Sequence, residues 1–144
     1  MSFSRRQFLR LSSAAALAAP LLPLASSAVA ETAVIKPPRL KPGDTVGLIS
    51  PGGFISDAES VTEIREILAG LGLNTKVGRH VLDQRGYLGG GDLDRAADVN
   101  AMFADPEVNA VLAMRGGWGC ARILPLLDYD LIRSNPKILV GYSD

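Results

Sequence analysis

The chain has 144 residues, is 47% hydrophobic and 21% charged, and carries no formal net charge at neutral pH. Its basic residues are scattered rather than gathered on one face, so the electrostatic footprint of a nucleic-acid-binding protein is missing. There is one histidine, one cysteine and no metal-ligand spacing, and a lone histidine cannot build a metal centre.

Residues 4–10 read SRRQFLR, and an Ala- and Leu-rich stretch runs from there to Ala30. A basic start, an apolar middle and the small residues Ala28-Val29-Ala30 predict a secretory signal peptide over residues 1–30, with Glu31 as the mature start. The twin arginines Arg5 and Arg6, followed by Phe8 and Leu9, predict the twin-arginine export route and a periplasmic destination. Pro20, Pro23 and the serines Ser12, Ser13, Ser26 and Ser27 break the run, which argues against a stable membrane anchor. Cleavage removes three arginines and no acidic residue, leaving 114 residues of net charge −3. That length suits one small domain with a real core. A single thiol cannot close a disulfide within its own chain. In an oxidising compartment Cys120 is either buried and inert or kept for its reactivity.

Residues 31–41 contain Pro37 and Pro38 and predict an extended lead-in. TVGLIS, residues 45–50, is a short apolar run closed by Pro51-Gly52-Gly53, which predicts a buried strand and a turn. Ser56 and Glu59 form a capping-box pattern. Behind it Val61, Ile64, Leu68 and Leu71 recur on one face of a helix that Gly70 and Gly72 end. A short strand is predicted over residues 74–77, then a loop over 78–91 that holds His80 and ends in GYLGGGD. Asp92 caps a predicted helix to about Phe103, with Ala96, Val99 and Phe103 facing inward. AVLAM, residues 110–114, reads as a third strand and leads into RGGWGC. Residues 121–127 read as a short helix interrupted by Pro125, residues 128–134 as another, and KILVG, residues 137–141, as a last strand. Strands with little alternation, separated by amphipathic helices, predict an α/β fold with a parallel sheet. Ligands in such sheets sit beyond the carboxyl ends of the strands. The loops at 51–53, 116–120 and 142–144 therefore converge on one edge.

A nucleophile on a tight strand-to-helix turn is lifted clear of the sheet, and the next backbone N–H groups can receive an oxyanion. Gly119 and Ala121 flank Cys120 with the small residues such a turn needs, and a following helix N-terminus would favour its thiolate. A buried cysteine that only fills core is an equal alternative. Arg115 suits a substrate carboxylate, with a structural ion pair as its rival reading. His80 is expected to have a surface or packing role.

Residues 85–144 carry a series of motifs: GYL-x-G at Gly86–Gly90, R-A-x-D-x-N at Arg95–Asn100, and D-P-E-V at Asp105–Val108. R-G-G-x-G at Arg115–Gly119, L-P-L-L-D-Y-D at Leu124–Asp130, N-P-K at Asn135–Lys137 and a final G-Y-S-D follow. In this order they resemble the LD-carboxypeptidases, or muramoyltetrapeptide carboxypeptidases, of peptidase family S66, over nearly all of residues 42–144. The resemblance implies a flavodoxin-like or Rossmann-like N-terminal domain with a nucleophilic serine placed after R-G-G-x-G. It also implies a C-terminal domain that supplies a glutamate and a histidine, removal of the terminal D-alanine from peptidoglycan tetrapeptides, and no metal or organic cofactor. Cys120 stands at the expected serine position. On this basis Cys120 attacks the peptide, Ala121 and Gly117 bind the oxyanion, Arg115 and Trp118 line the pocket, and Ser143 and Asp144 shape its floor. The chain stops before the expected C-terminal domain, so these 144 residues are expected to be inactive alone. The implied partner is a peptidoglycan peptide, and a homodimer stays open. Two other readings stand beside this one: a periplasmic module that binds muropeptides without cleaving them, and a relative that cleaves peptide–nucleotide conjugates.

Overall fold

The computed structural model describes residues 34–143. The expected signal peptide and Asp144 lie outside the described residues. Residues 34–41 form no helix or strand, and Leu40 packs against the core. The regular elements are β1 (Thr45–Ile49), α1 (Ala58–Gly70), β2 (Asn74–Val77), α2 (Asp92–Ala104), β3 (Ala110–Ala113), α3 (Tyr129–Ser134) and β4 (Ile138–Val140). Among the described residues the strands form one sheet in the order β2-β1-β3-β4, with every pairing parallel. The chain steps from β1 outward to β2, then crosses back over β1 to β3. This is the flavodoxin-like order, whose switch point falls between β1 and β3.

Both faces of the sheet are covered, because parallel crossovers lay their helices against it. On one side Val61, Ile64 and Leu68 of α1 join Val46, Leu48 and Ala110 of the sheet. On the other, Ala96, Val99, Met102 and Phe103 of α2 join Ile49 and Val111, and Leu127, Leu131 and Ile132 pack on from the segment that follows. Each fully buried Val, Leu, Ile or Phe stabilises by about 1.5–3 kcal/mol relative to exposure. Successive residues of β1 alternate between the two cores, which is why the apolar run shows so little polar alternation. No helix among the described residues is long and apolar enough to cross a membrane.

Four local expectations change. Asp57, not Ser56, caps α1: its carboxylate accepts the Ser60 N–H at 2.8 Å, and the Ser56 hydroxyl donates to the same carboxylate. An ionised carboxylate is the stronger acceptor for the first turn. Leu71, expected on the buried face, is 66% exposed because the helix has already ended at Gly70. Asp92 is the first residue of α2 and does not cap it. Gly91 stands at the cap position, and Asp92 turns instead to two arginines. Residues 121–127 form no α-helix; two three-residue 3-10 turns, Cys120–Arg122 and Leu124–Leu126, stand there.

Two side chains tie α2 to its surroundings. The buried Asp98 accepts the His80 N–H at 2.9 Å, and burial pushes its carboxyl above the ordinary carboxylate range. It lies so close to the end of β2 that a Cβ on Gly78 would meet Asp98 Oδ2 at 2.4 Å and the Leu48 carbonyl oxygen at 3.0 Å. Gly78→Ala is therefore expected to destabilise the fold by about 1–3 kcal/mol, since the backbone contact cannot relax. The shift in denaturant midpoint, at unchanged slope, measures it.

Asp92 receives Arg122 Nη2 at 2.8 Å and Arg95 Nη2 at 2.7 Å. Arg122 and then Arg95 hold its carboxyl at about 2, below the usual 3.8. A depressed carboxylate contributes stability above its unfolded pKa and loses it as pH falls through the folded one. Thermal midpoints are expected to drop between pH 3.8 and about 2, and Asp92→Asn to flatten that part of the profile.

Candidate active site

Strand register brings the loops together. Ile49 is paired with Ala113, and Leu112 with Val140, so β1, β3 and β4 end at nearly the same level. Beyond β1 the chain turns through Pro51-Gly52-Gly53, and beyond β3 through Met114 to Gly119. The two loops touch backbone to backbone: Gly53 N–H donates to the Gly116 carbonyl at 3.3 Å, and a Cβ on Gly52 would lie 2.6 Å from the Gly117 oxygen. The 78–91 loop joins them, with Gly89 N–H on the Gly52 carbonyl at 2.9 Å and Phe54 N–H on the Tyr87 carbonyl at 3.3 Å.

Ser143 sits at this edge, three residues past the end of β4, at φ 64°. Among the described residues it alone holds a positive φ without being glycine. Such a conformation costs of order 1–3 kcal/mol in an L-residue and clusters at functional sites. The β3 loop packs directly on it. A Cβ on Gly116 would lie 2.5 Å from the Tyr142 carbonyl oxygen and 2.7 Å from Ser143 Cβ, so only glycine fits there. An exposed serine on a strained turn just after a strand, with glycine two positions earlier at Gly141, has the form of a nucleophile elbow. The readable signal was that glycine and serine directly after the apolar run KILV.

The elbow expected at Cys120 is not formed there. β3 ends at Ala113, and residues 114–119 intervene before the thiol. Cys120 opens a 3-10 turn after Gly119 at φ 122°, and three residues in that form do not sum to a helix dipole. The half-buried Cys120 instead lines a cavity of about 310 Å³ with Pro51, Leu139, Tyr142 and Ser143. The thiol and the serine therefore face the same apolar space.

The other expected site residues divide. Gly117 lies in the loop that touches Gly53. Ala121 is exposed on the turn after Cys120, and Asp144 lies outside the described residues. Arg115 donates to the Phe54 carbonyl at 3.0 Å, and its guanidinium lies 5.7 Å from the centre of the Phe54 ring. With Ser56, Ser60 and Tyr142 it lines a second cavity, of about 200 Å³, on the α1 side of the elbow. Among the described residues Arg115 makes no ion pair; a carbonyl and a ring hold it. Trp118, 74% exposed, stacks on Tyr87 with ring centres 5.8 Å apart.

Arg95 was unread as a site residue. Its side chain is fully buried, and Nη1 donates both to the Pro51 carbonyl of the β1 loop and to the Gly119 carbonyl at 3.3 Å. His80 hydrogen-bonds Asp83 at 2.8 Å, and that contact holds the imidazole above its ordinary pKa. With Asp94 these two place ligand atoms within 4.8 Å of one another, a clustering that sequence spacing did not reveal.

Comparison with known proteins agrees with this architecture. Residues 46–144 match the family described as LD-carboxypeptidase N-terminal domain. A Bacillus subtilis protein described as a probable murein peptide carboxypeptidase is 46% identical over 109 residues, covering 76% of this chain and 34% of that protein. The murein tetrapeptide carboxypeptidase of Pseudomonas aeruginosa is 34% identical over 100 residues, covering 69% of this chain and 32% of its own length. The crystal structure of an MccF-like protein from Bacillus anthracis superposes with a TM-score of 0.72 at 34% identity, over 76% of this chain and 34% of that one. The chain spans about a third of the length of these relatives. With the parallel sheet, the switch-point loops and the strained serine already in place, the match over residues 46–144 shows that the chain belongs to the LD-carboxypeptidase family.

Proposed function

We propose that this chain is the N-terminal part of an exported LD-carboxypeptidase that releases the terminal D-alanine from murein tetrapeptides, with Ser143 as the nucleophile. One observation carries the choice of residue: Ser143 is held at φ 64° at the end of β4, against a glycine loop that no side chain could share. Ser143 Oγ attacks the carbonyl carbon of the terminal peptide bond and its proton passes to a general base. The base returns that proton to the D-alanine nitrogen as the tetrahedral intermediate collapses and the C–N bond breaks, and water, deprotonated by the same base, then hydrolyses the acyl-serine. The resemblance supplies that base as a histidine, oriented by a glutamate, from the part of the relatives that this chain does not span. A backbone N–H of the Gly116–Gly117 segment serves as the neighbouring-loop oxyanion donor. An elbow takes one donor from the residue after its nucleophile and one from a neighbouring loop. Cys120 then serves as a wall of the cavity beside the nucleophile. Arg5-Arg6 and Ala28-Val29-Ala30 support export by the twin-arginine route to the periplasm.

A second substrate class has one observation in its favour. The exposed Trp118–Tyr87 pair offers an aromatic surface on the glycine loop, suited to stacking on a ring such as a nucleobase. A peptide–nucleotide conjugate would present one.

The test uses a polypeptide carrying this domain together with the remaining length found in its relatives. It is incubated with a tetrapeptide ending in D-alanine, or with a peptide–nucleotide conjugate, and the released amine product is measured. Ser143→Ala is expected to lower kcat by roughly 10⁴-fold or more, as removal of a nucleophile does, and Cys120→Ala by less than about tenfold. The reverse pattern would return the nucleophile to the thiol, and turnover of neither substrate by the wild type would leave a binding module.

A further inference from the structure

We infer that Arg95 is a positioning residue for this site, a buried fork that sets the β1 loop and the β3 loop at the separation the chemistry needs. The inference rests on the proposal that Ser143 reacts within the Gly116–Gly119 loop.

Arg95 occupies the first turn of α2, where an arginine would ordinarily reach water. Here its side chain is fully buried. Nη1 donates to the carbonyl of Pro51, which leads into Gly52 and Gly53, and to the carbonyl of Gly119, which closes the glycine loop. Nη2 donates to Asp92 Oδ1 at 2.7 Å, so the fork is held from behind. Asp92 in turn receives Arg122 from the turn that follows Gly119, with contacts of 2.8 to 3.2 Å. One guanidinium thus joins two loops that come from different strands, and its counter-ion anchors the exit of the second.

Stability alone does not account for this arrangement. The buried Nε of Arg95 has no hydrogen-bond partner among the described residues, a cost an apolar side chain would avoid. What an apolar side chain could not do is donate to carbonyls of two separate loops. A lysine would have to reach both carbonyls and Asp92 from one nitrogen, where Arg95 divides them between Nη1 and Nη2. Gly116, the residue that touches Ser143, lies in the chain between the β3 strand and the anchored Gly119. A shift of that loop moves its amides relative to the serine, and a misplacement of about 1 Å can cost on the order of 100-fold in rate.

The test compares Arg95→Lys and Asp92→Asn with wild type, in the same longer polypeptide and with the substrate that it turns over. Val61→Ala, a core change in α1, serves as a control for stability. At a temperature well below every unfolding midpoint, Arg95→Lys is expected to lower kcat by about 10- to 100-fold with KM within about threefold. Val61→Ala lowers the midpoint and leaves kcat unchanged. Wild-type kcat in Arg95→Lys, with only its midpoint lowered, would overturn the inference and leave a structural residue. Should Arg95→Lys fail to fold, Asp92→Asn decides: a fall in kcat at constant KM supports the inference, and an unchanged kcat rejects it. Failure of the underlying reading appears separately, as activity that survives in Ser143→Ala.

Discussion

The site depends on the close approach of two backbones at the switch point of the sheet. The β1 loop and the β3 loop meet backbone to backbone at their glycines, Gly52 and Gly53 against Gly116 and Gly117. Strand order makes the meeting possible, because β1 and β3 are neighbours whose connections leave in opposite directions. Glycine makes it close. A methyl group at Gly52 would press on the Gly117 carbonyl and force the loops apart, and one at Gly116 would press on Tyr142 and Ser143. The strained serine and the cavity beside Cys120 both sit around that contact.

Charge acts here as support for geometry. Asp92, Arg95 and Arg122 form a chain of ion pairs that runs from the surface into the space under the loops. Its exposed half, Arg122 with Asp92, is partly screened by solvent. Its buried half fixes where two loops stand. On the far side of α2 the arrangement is similar: Asp98 takes the His80 N–H, and Lys137 Nζ caps α2 by donating to the Met102 carbonyl at 2.8 Å. The helix is tied to the sheet at both ends by polar side chains, with apolar packing between them.

Much of this fold was legible in the sequence, and the reasons differ by element. β1 and β3 showed as short apolar runs because both of their faces are buried, and α2 showed because Ala96, Val99 and Phe103 keep a helical period. Cap positions were misread where two adjacent residues could both serve, as with Ser56 and Asp57, and only the path of the incoming chain decides between them. The 121–127 stretch has helical composition, but Pro125 and the need to pack Ile123 against the sheet tighten it into separate turns. The thiol drew attention through its rarity. The serine did not, because its distinguishing mark is a backbone angle. Arg95 carries no mark in the sequence, since a helical arginine ordinarily faces water, and only its contacts in three dimensions reveal it.

The left-handed backbone of Ser143 also limits which residues could ever take its place. Threonine carries the same hydroxyl, yet its branched Cβ crowds this conformation, so chemical equivalence would not make it an equivalent substitute. Glycine would relax the turn and remove the hydroxyl together. A drift toward greater thermal robustness at this position would therefore run through chemical silence, and the tension there marks a position maintained for what it does rather than for how firmly it holds the fold.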